Sequence, residues 1–305
     1  MKFGKLEDIS NVDFSLPKDP KSNKDVFSSL TKGQATFYVG CTGWGTKEWK
    51  GHYYPTKTKA ADFLLEYGKQ FNTIELNSTH YGTPKPETLQ KWYDHTPDDF
   101  VFCPKIHKAI SHRKTLGTDS DIIENTMNAL SIFRHKLGPC FMQLPPYFGS
   151  DRLDMLDHFF EVFPSEFDLS IELRHPSWFE DEAIMDELQD LSISHNVGLL
   201  MTDVSGRRDV LHMRVCGDYI MVRFVGNATA TELHPSDYQR IDEWVKRIQY
   251  YVDNGIKKIY FFPHEPDNIL APELAEYICR RIEDKMTIHT RGPKRIDSGH
   301  QLNLF

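Results

Sequence analysis

No apolar run in this chain is long enough to cross a membrane as a helix, and residues 1–35 lack the apolar core of a signal peptide. Cysteine is sparse: five in 305 residues, an odd number without a C-x-x-C pair. That spacing excludes a disulfide framework and gives no zinc or iron–sulfur signature. Cys41, Cys103 and Cys140 lie in apolar, strand-like runs and are expected as small buried residues of a cytoplasmic protein. Positive charge is also short. A net charge of −8 argues against a surface that grips nucleic acid by bulk electrostatics. A Gly-rich phosphate loop, a Walker motif, a nucleophile elbow and H-E-x-x-H are all missing, which removes nucleotide-hydrolysing, serine-hydrolase and zincin readings. There is no internal repeat and no low-complexity tract.

What is present is alternation. Apolar runs with strand character stand near Phe37–Cys41, Thr73–Asn77, Val101–Lys105, Cys140–Leu144, Leu169–Leu173, Gly198–Thr202, Ile220–Phe224 and Lys258–Phe262. Amphipathic helix patterns separate most of them: Ala60–Gln70, Asp121–Lys136, Leu153–Phe163, Asp181–His195 and Asp237–Asn254. Ser236 with Gln239 is expected to form a capping box, and Gly255 a left-handed helix end. Eight strands with helical crossovers predict an α/β fold of the TIM-type (β/α)8 barrel class in one domain, residues 36–288. The crossover between the sixth and seventh strands should be incomplete, because 204–218 has no helical period. Residues 1–35 are expected as a polar extension that drapes over the barrel, and 289–305 as a flexible tail.

A barrel of this class places chemistry where its strands run out at the C-terminal face. Here those ends are polar. Glu75 and Asn77 share one face of the second strand, and Glu172 and Arg174 one face of the fifth, by the two-residue period of a strand. Lys105 ends the third strand, with His112 in the loop beyond it, and Gln143 closes the fourth. Asp203 follows the sixth, Arg223 lies in the seventh and His264 follows the eighth. Any one of these could be half of a buried ion pair that only fills the barrel, such as Glu172 with Arg174 or Glu75 with Lys105. Seven consecutive polar ends predict a polar cavity.

The run Val39-Gly40-Cys41-Thr42-Gly43-Trp44, followed by Trp49, Gly51 and Tyr54-Pro55, resembles the opening of the YecE-like family (domain of unknown function 72). The resemblance continues through Glu75-Leu76-Asn77-Ser78-Thr79, Ser111-His112, Gln143-Leu144-Pro145-Pro146 and Arg174-His175-Pro176-Ser177-Trp178, and spans about residues 37–280. It implies a TIM-barrel fold and supplies no reaction. Two departures add titratable groups: His80 stands where an aromatic is expected, and Pro263-His264-Glu265 replaces an Asn-containing strand end.

The carboxylates Glu75, Glu172 and Asp203, with Glu265 as a candidate fourth, face the cations Lys105, Arg174 and Arg223. That balance disfavours an all-carboxylate metal site, so no metal or other cofactor is expected. It favours a polar or anionic ligand, phosphate- or sugar-like or derived from nucleic acid. The acid/base would be Glu75 or Glu172, with His112 and Asp203 beside them. Lys105 and Arg223 would clamp the anion; Asn77, Gln143, Arg174 and His264 would orient it. Two other readings stand. One is a divalent-metal-dependent barrel isomerase or endonuclease using Glu75, Glu172, Asp203 and His264; the other is a non-catalytic adaptor.

The final run Gln301-Leu302-Asn303-Leu304-Phe305 resembles the pentapeptide by which bacterial DNA-processing enzymes hold the replication sliding clamp. Matching four specified positions by chance is on the order of 1 in 10^5 per site. Gln301, Leu302, Leu304 and Phe305 are the expected anchors and a DNA sliding clamp the expected partner.

Overall fold

The apolar runs do become strands, and every pairing among them is parallel. A computed structural model describes residue 6 and residues 8–229 and 231–296. Among these, β1 (Thr36–Val39), β9 (Lys258–His264), β8 (Tyr219–Val225) and β7 (Met201–Val204) form one sheet in that spatial order. β2 (Thr73–Leu76) pairs with β3 (Val101–Pro104), and β4 (Cys140–Gln143) with β5 (Leu169–Glu172) and β6 (Val197–Leu199). Isolated backbone bonds outside the ladders join them, two of them between β3 and β4, where Gly138 N–H also donates to Phe102 O at 2.8 Å. Glu75 N–H donates to Cys41 O at 3.1 Å, Ile106 N–H to Phe141 O at 2.8 Å, and Leu200 N–H to Ile171 O at 2.9 Å. The β1–β2 approach is close enough that a Cβ on Gly40 would stand 2.1 Å from Thr73 O, so only glycine fits there.

The expected sixth strand is split in two, β6 and β7, at Leu200. Helices α2 (Phe63–Gln70), α3 (Pro86–Asp94), the one-turn α4 (Lys108–Ser111), α5 (Ile122–Leu130), α6 (Leu153–Val162), α7 (Glu182–Ser194), α8 (Pro235–Asp253) and α9 (Ala271–Lys285) lie between or after the strands. The expected long helix over 121–136 is interrupted. Arg134 has φ 49 and the last six residues form a 3-10 turn. Between β7 and β8 there is only the 3-10 turn Arg208–Val210.

Two caps differ in outcome. Gly255 has φ +103 and donates to Val252 O at 3.0 Å, as a left-handed helix end requires. The expected capping box does not form. Helix α8 starts earlier, with Pro235 inside its first turn and His234 as the cap, whose Nδ1 accepts Ser236 N–H at 3.2 Å.

The N-terminal segment covers the crossover that has no helix. Asn23, at the start of helix α1 (Asn23–Ser29), donates to Met213 O at 2.7 Å and accepts from Val215 N–H at 3.0 Å and Gln189 Nε2 at 3.1 Å. Asp19 accepts from Tyr251 Oη at 2.6 Å and pairs with Arg247 at 3.0 Å, which fixes the segment to α8. At the other end, Ile296 N–H donates to His52 O at 2.7 Å and Arg291 pairs with Asp99, so residues 291–296 run along the body. Gln301, Leu302, Leu304 and Phe305 lie outside the described residues. No helix among the described residues is long and apolar enough to cross a membrane.

Candidate functional site

Two apolar clusters fill the molecule. The larger packs helices against strands; the smaller consists of Cys103, Phe141, Leu200, Met221, Tyr260 and Phe262. The smaller one lies on the inner face of the strands. Stepping two residues along from four of its members reaches Lys105, Gln143, Arg223 and His264. This is the strand period at work: one face carries an apolar layer and, one step on, a polar layer at the C-terminal ends. Register places Gln143 beside Glu172, and Thr202 beside Arg223.

Arg223 is the hub of the polar layer. It is 1% exposed and donates to both oxygens of Glu75, from Nε at 3.0 Å and Nη2 at 2.9 Å. Its Nη1 donates to Glu172 Oε2 at 2.5 Å. His264 Nε2 lies 2.6 Å from Glu75 Oε2, and since that carboxylate can only accept, Nε2 carries a proton. Asn77 Nδ2 donates to Glu75 Oε1 at 2.8 Å, Gln143 Nε2 to Glu172 Oε2 at 2.8 Å, and Arg174 Nε to Glu172 Oε1 at 2.9 Å. Glu75, Glu172, Arg223 and Lys105 are buried, whereas Asn77, Gln143, Arg174 and His264 are only part-buried, so the cluster meets solvent through its amides, Arg174 and His264.

Lys105 does not pair with Glu75. Its Nζ donates to Gln143 Oε1, a neutral acceptor, at 3.1 Å, and lies 5.9 Å from the Phe141 ring centre. No described carboxylate forms a salt bridge with it. Burial pushes its amine down to about 8, helped by Arg223 and only partly opposed by Glu172 and Glu75. Burial alone would raise both glutamates, but neighbouring cations win: Arg223 and His264 hold Glu75 far below its usual range, and Arg174, Arg223 and Lys105 bring Glu172 to about 2. Carboxylates held so low are weak proton carriers near neutrality. In this cluster they hold Arg223, Arg174, His264 and, through Gln143, the Lys105 amine.

Two expected residues stand elsewhere. Asp203 does not face the cluster. It registers with Phe224 whereas Thr202 registers with Arg223, and that one-residue offset turns it to the helical layer. There it accepts from Arg240 Nη2 at 2.7 Å and Trp244 Nε1 at 2.7 Å, both on α8, and from Arg208. His112 is exposed on the loop after β3. Its Nδ1 is 2.9 Å from Ser111 Oγ and its ring centre 5.7 Å from that of His80. Its pKa is lowered by partial burial and by Lys105 and Lys108. Neighbouring His80 is buried, with Nδ1 2.8 Å from Ile106 O; a carbonyl only accepts, so Nε2 holds the lone pair. Burial is the main force holding His80 down, to about 4, with Lys105 adding to it. The partners of Asp203 were not legible in the sequence, since Arg240 and Trp244 lie on a helix with no marker tying them to one strand end.

The donor set fits a metal poorly. Arg223 already occupies Glu75 and Glu172, and Asp203 faces another layer. No group of three His, Cys, Asp or Glu side chains among the described residues is placed to hold a metal ion.

A family model described as "Protein of unknown function DUF72" matches residues 38–296. The chain is 26% identical over 255 residues to the UPF0759 protein YecE of Escherichia coli K12, covering 78% of this chain and 89% of that protein. It is 26% identical over 153 residues to the UPF0759 protein YunF of Bacillus subtilis, covering 47% of this chain and 52% of that one. Among solved structures, a DUF72 protein of Enterococcus faecalis matches with TM-score 0.63 and 17% identity over 86% of this chain and all (100%) of its own. One from Thermotoga maritima matches with TM-score 0.58 and 24% identity over 79% and 98%. These structures share the fold.

Proposed function

This chain belongs to the DUF72 family, whose description names no reaction, and from the site itself we propose an enzyme that binds a polar, anionic ligand at the strand ends and moves protons there. The observation that carries this is an excess of cation. Asp203 belongs to the helical layer, Glu75 and Glu172 are both taken by arginine, and the buried Lys105 amine has no carboxylate of its own among the described residues. A buried group of charges with one cation too many is completed by an anion, such as a phosphate or carboxylate on a sugar-like or nucleic-acid-derived ligand. Arg174 and Lys105 are the groups that would meet it, with Asn77 and Gln143 orienting. Lys105, its amine brought down to about 8, would carry protons, with His264 beside it on Glu75.

The same reading takes the three ladders as one closed eight-stranded barrel of the TIM type. In it, β6 and β7 are halves of one bent strand and the isolated bonds at Cys41, Phe102, Phe141 and Ile171 are the seams. The test of the site is calorimetric titration with inorganic phosphate at low ionic strength, on the native chain and on Lys105→Met. Binding lost in the variant supports the reading; equal binding by both, or none by either, refutes it.

The sequence supports a second property, recruitment to a DNA sliding clamp through Gln301, Leu302, Leu304 and Phe305. Tethering would raise the enzyme's local concentration on DNA, since a second contact becomes effectively intramolecular. Equal binding of a clamp by the native chain and a Leu304→Ala, Phe305→Ala variant would remove it.

A further inference from the structure

We propose that Lys105 is an imine-forming lysine, whose ε-amine adds to the carbonyl carbon of an aldehyde or ketone bearing an acidic group, a 2-oxo acid being the simplest such ligand. This deepens, and rests on, the anion-binding reading above.

The argument begins with what Lys105 is denied. A lysine kept as a permanent cation in a protein interior is normally given a carboxylate, because an ammonium without a counter-charge is costly to bury. Two carboxylates stand in this cluster, and both are bound by Arg223. Among the described residues Lys105 receives only the neutral Gln143 oxygen, and Gln143 is held in that orientation by Glu172. The amine is 2% exposed, over the Phe141 ring, with the Arg223 guanidinium 5.6 Å from the centre of that same ring. Desolvation and a neighbouring cation are the two conditions that turn lysine into a nucleophile. Its shifted pKa, down to about 8, agrees with this geometry.

The step balances without a cofactor. The neutral amine attacks the carbonyl carbon, an N–C bond forms and the C=O π bond breaks; oxygen gains a proton and nitrogen loses one. The carbinolamine then expels its hydroxyl with a second proton as water, leaving C=N. Amine plus carbonyl gives imine plus water, and nothing is oxidised. The proton passes from nitrogen to oxygen through solvent at the open edge of the cluster; His80, its imidazole held down to about 4 and its Nδ1 against Ile106 O, is too weak a base to take it near neutrality. Arg174 seats the acidic group. A protonated imine draws electrons from the adjacent carbon, so the reactions open to such a site are removal of a proton beside the carbonyl or cleavage of the neighbouring C–C bond.

The test is reductive trapping of the full chain with glyoxylate and sodium cyanoborohydride at pH 7, read by peptide mass mapping. Lys246 serves as the internal comparator, its side chain being 71% exposed. Roughly a tenth of an amine titrating near 8 is free at pH 7, against under a thousandth of an ordinary lysine. Lys105 should therefore be labelled tens of times faster than Lys246, its rate levelling off above about pH 8 while that of Lys246 keeps rising. Lys105→Arg should keep the fold, checked by its circular dichroism, and lose the fast adduct. Labelling of Lys105 no faster than Lys246 overturns the proposal. Phosphate binding measured beside it separates the two ideas: phosphate bound with Lys105 unreactive leaves the anion pocket and removes the imine. Lys105 reactive without phosphate binding supports the imine and removes the anion pocket.

Discussion

Arg223 and Arg240 are both buried guanidinium hubs, each holding a carboxylate from a strand end, yet the two clusters end differently. Around Arg240 the charge account closes, although its Nε has no hydrogen-bond partner among the described residues. Asp203 and Asp237 balance Arg240 and Arg208; the spare donors of Arg240 go to Val225 O at 3.0 Å and Asp203 O at 2.9 Å, and the Trp244 indole covers the remaining Asp203 oxygen. Around Arg223 it does not. Glu75 and Glu172 meet three cations, and Lys105 has one neutral hydrogen bond. Buried charge alone is therefore a poor marker of a site. A closed, balanced network between sheet and helix is framework; an open network with spare cationic donors beside solvent-reachable amides is a place for a ligand.

The largest test of that contrast is Arg223→Met, which leaves two buried carboxylates without their shared partner. It should cost about 3–5 kcal/mol in denaturant unfolding and raise the apparent pKa of Glu75 and Glu172. Arg240→Met should cost less, about 2–3 kcal/mol, because Asp203 keeps Arg208 and Trp244. It should also leave phosphate binding intact, and lost binding there would erase the distinction between the clusters.

Lys105→Met should do the opposite and stabilise, by about 2–3 kcal/mol at pH 7. The folded-state pKa of Lys105 is about 8 against the 10.5 of an ordinary lysine, so between those values the unfolded chain binds more protons. Native stability therefore rises with pH through that window, and the variant's advantage should disappear by about pH 10.5. An advantage independent of pH would mean that packing, not charge, is responsible. The smallest effect is expected from Trp244→Phe, which removes one hydrogen bond to Asp203 and should cost about 1–2 kcal/mol in thermal unfolding, with no effect at the inner cluster.

Much of the fold was legible. Period-two apolar runs ending in polar residues gave parallel strands at nearly the expected positions, and the missing period over 204–218 gave a crossover without a full helix. Glu75, Glu172, Lys105 and Arg223 could be grouped because the parity of a strand is written in its sequence. Partner choice could not be read that way. Lys105 and Glu75 look like a pair one strand apart, yet Arg223, from a strand 148 residues later, takes the glutamate by a two-pronged bond that a single ammonium cannot match. The capping box at Ser236 failed for a related reason: Pro235 sits one residue earlier, ready for the first turn, and His234 before it can cap.

By itself the sequence determined which residues form strands and helices and that the strand ends are polar, because local period and side-chain type fix those. Only the tertiary structure decided which face Asp203 took, since the break at Leu200 and the register with β8 set that parity. It also decided that Lys105 keeps a neutral partner. Competition for a buried carboxylate is settled by three-dimensional reach and by the geometry of the donor, and neither is a property of a residue's neighbours in the chain.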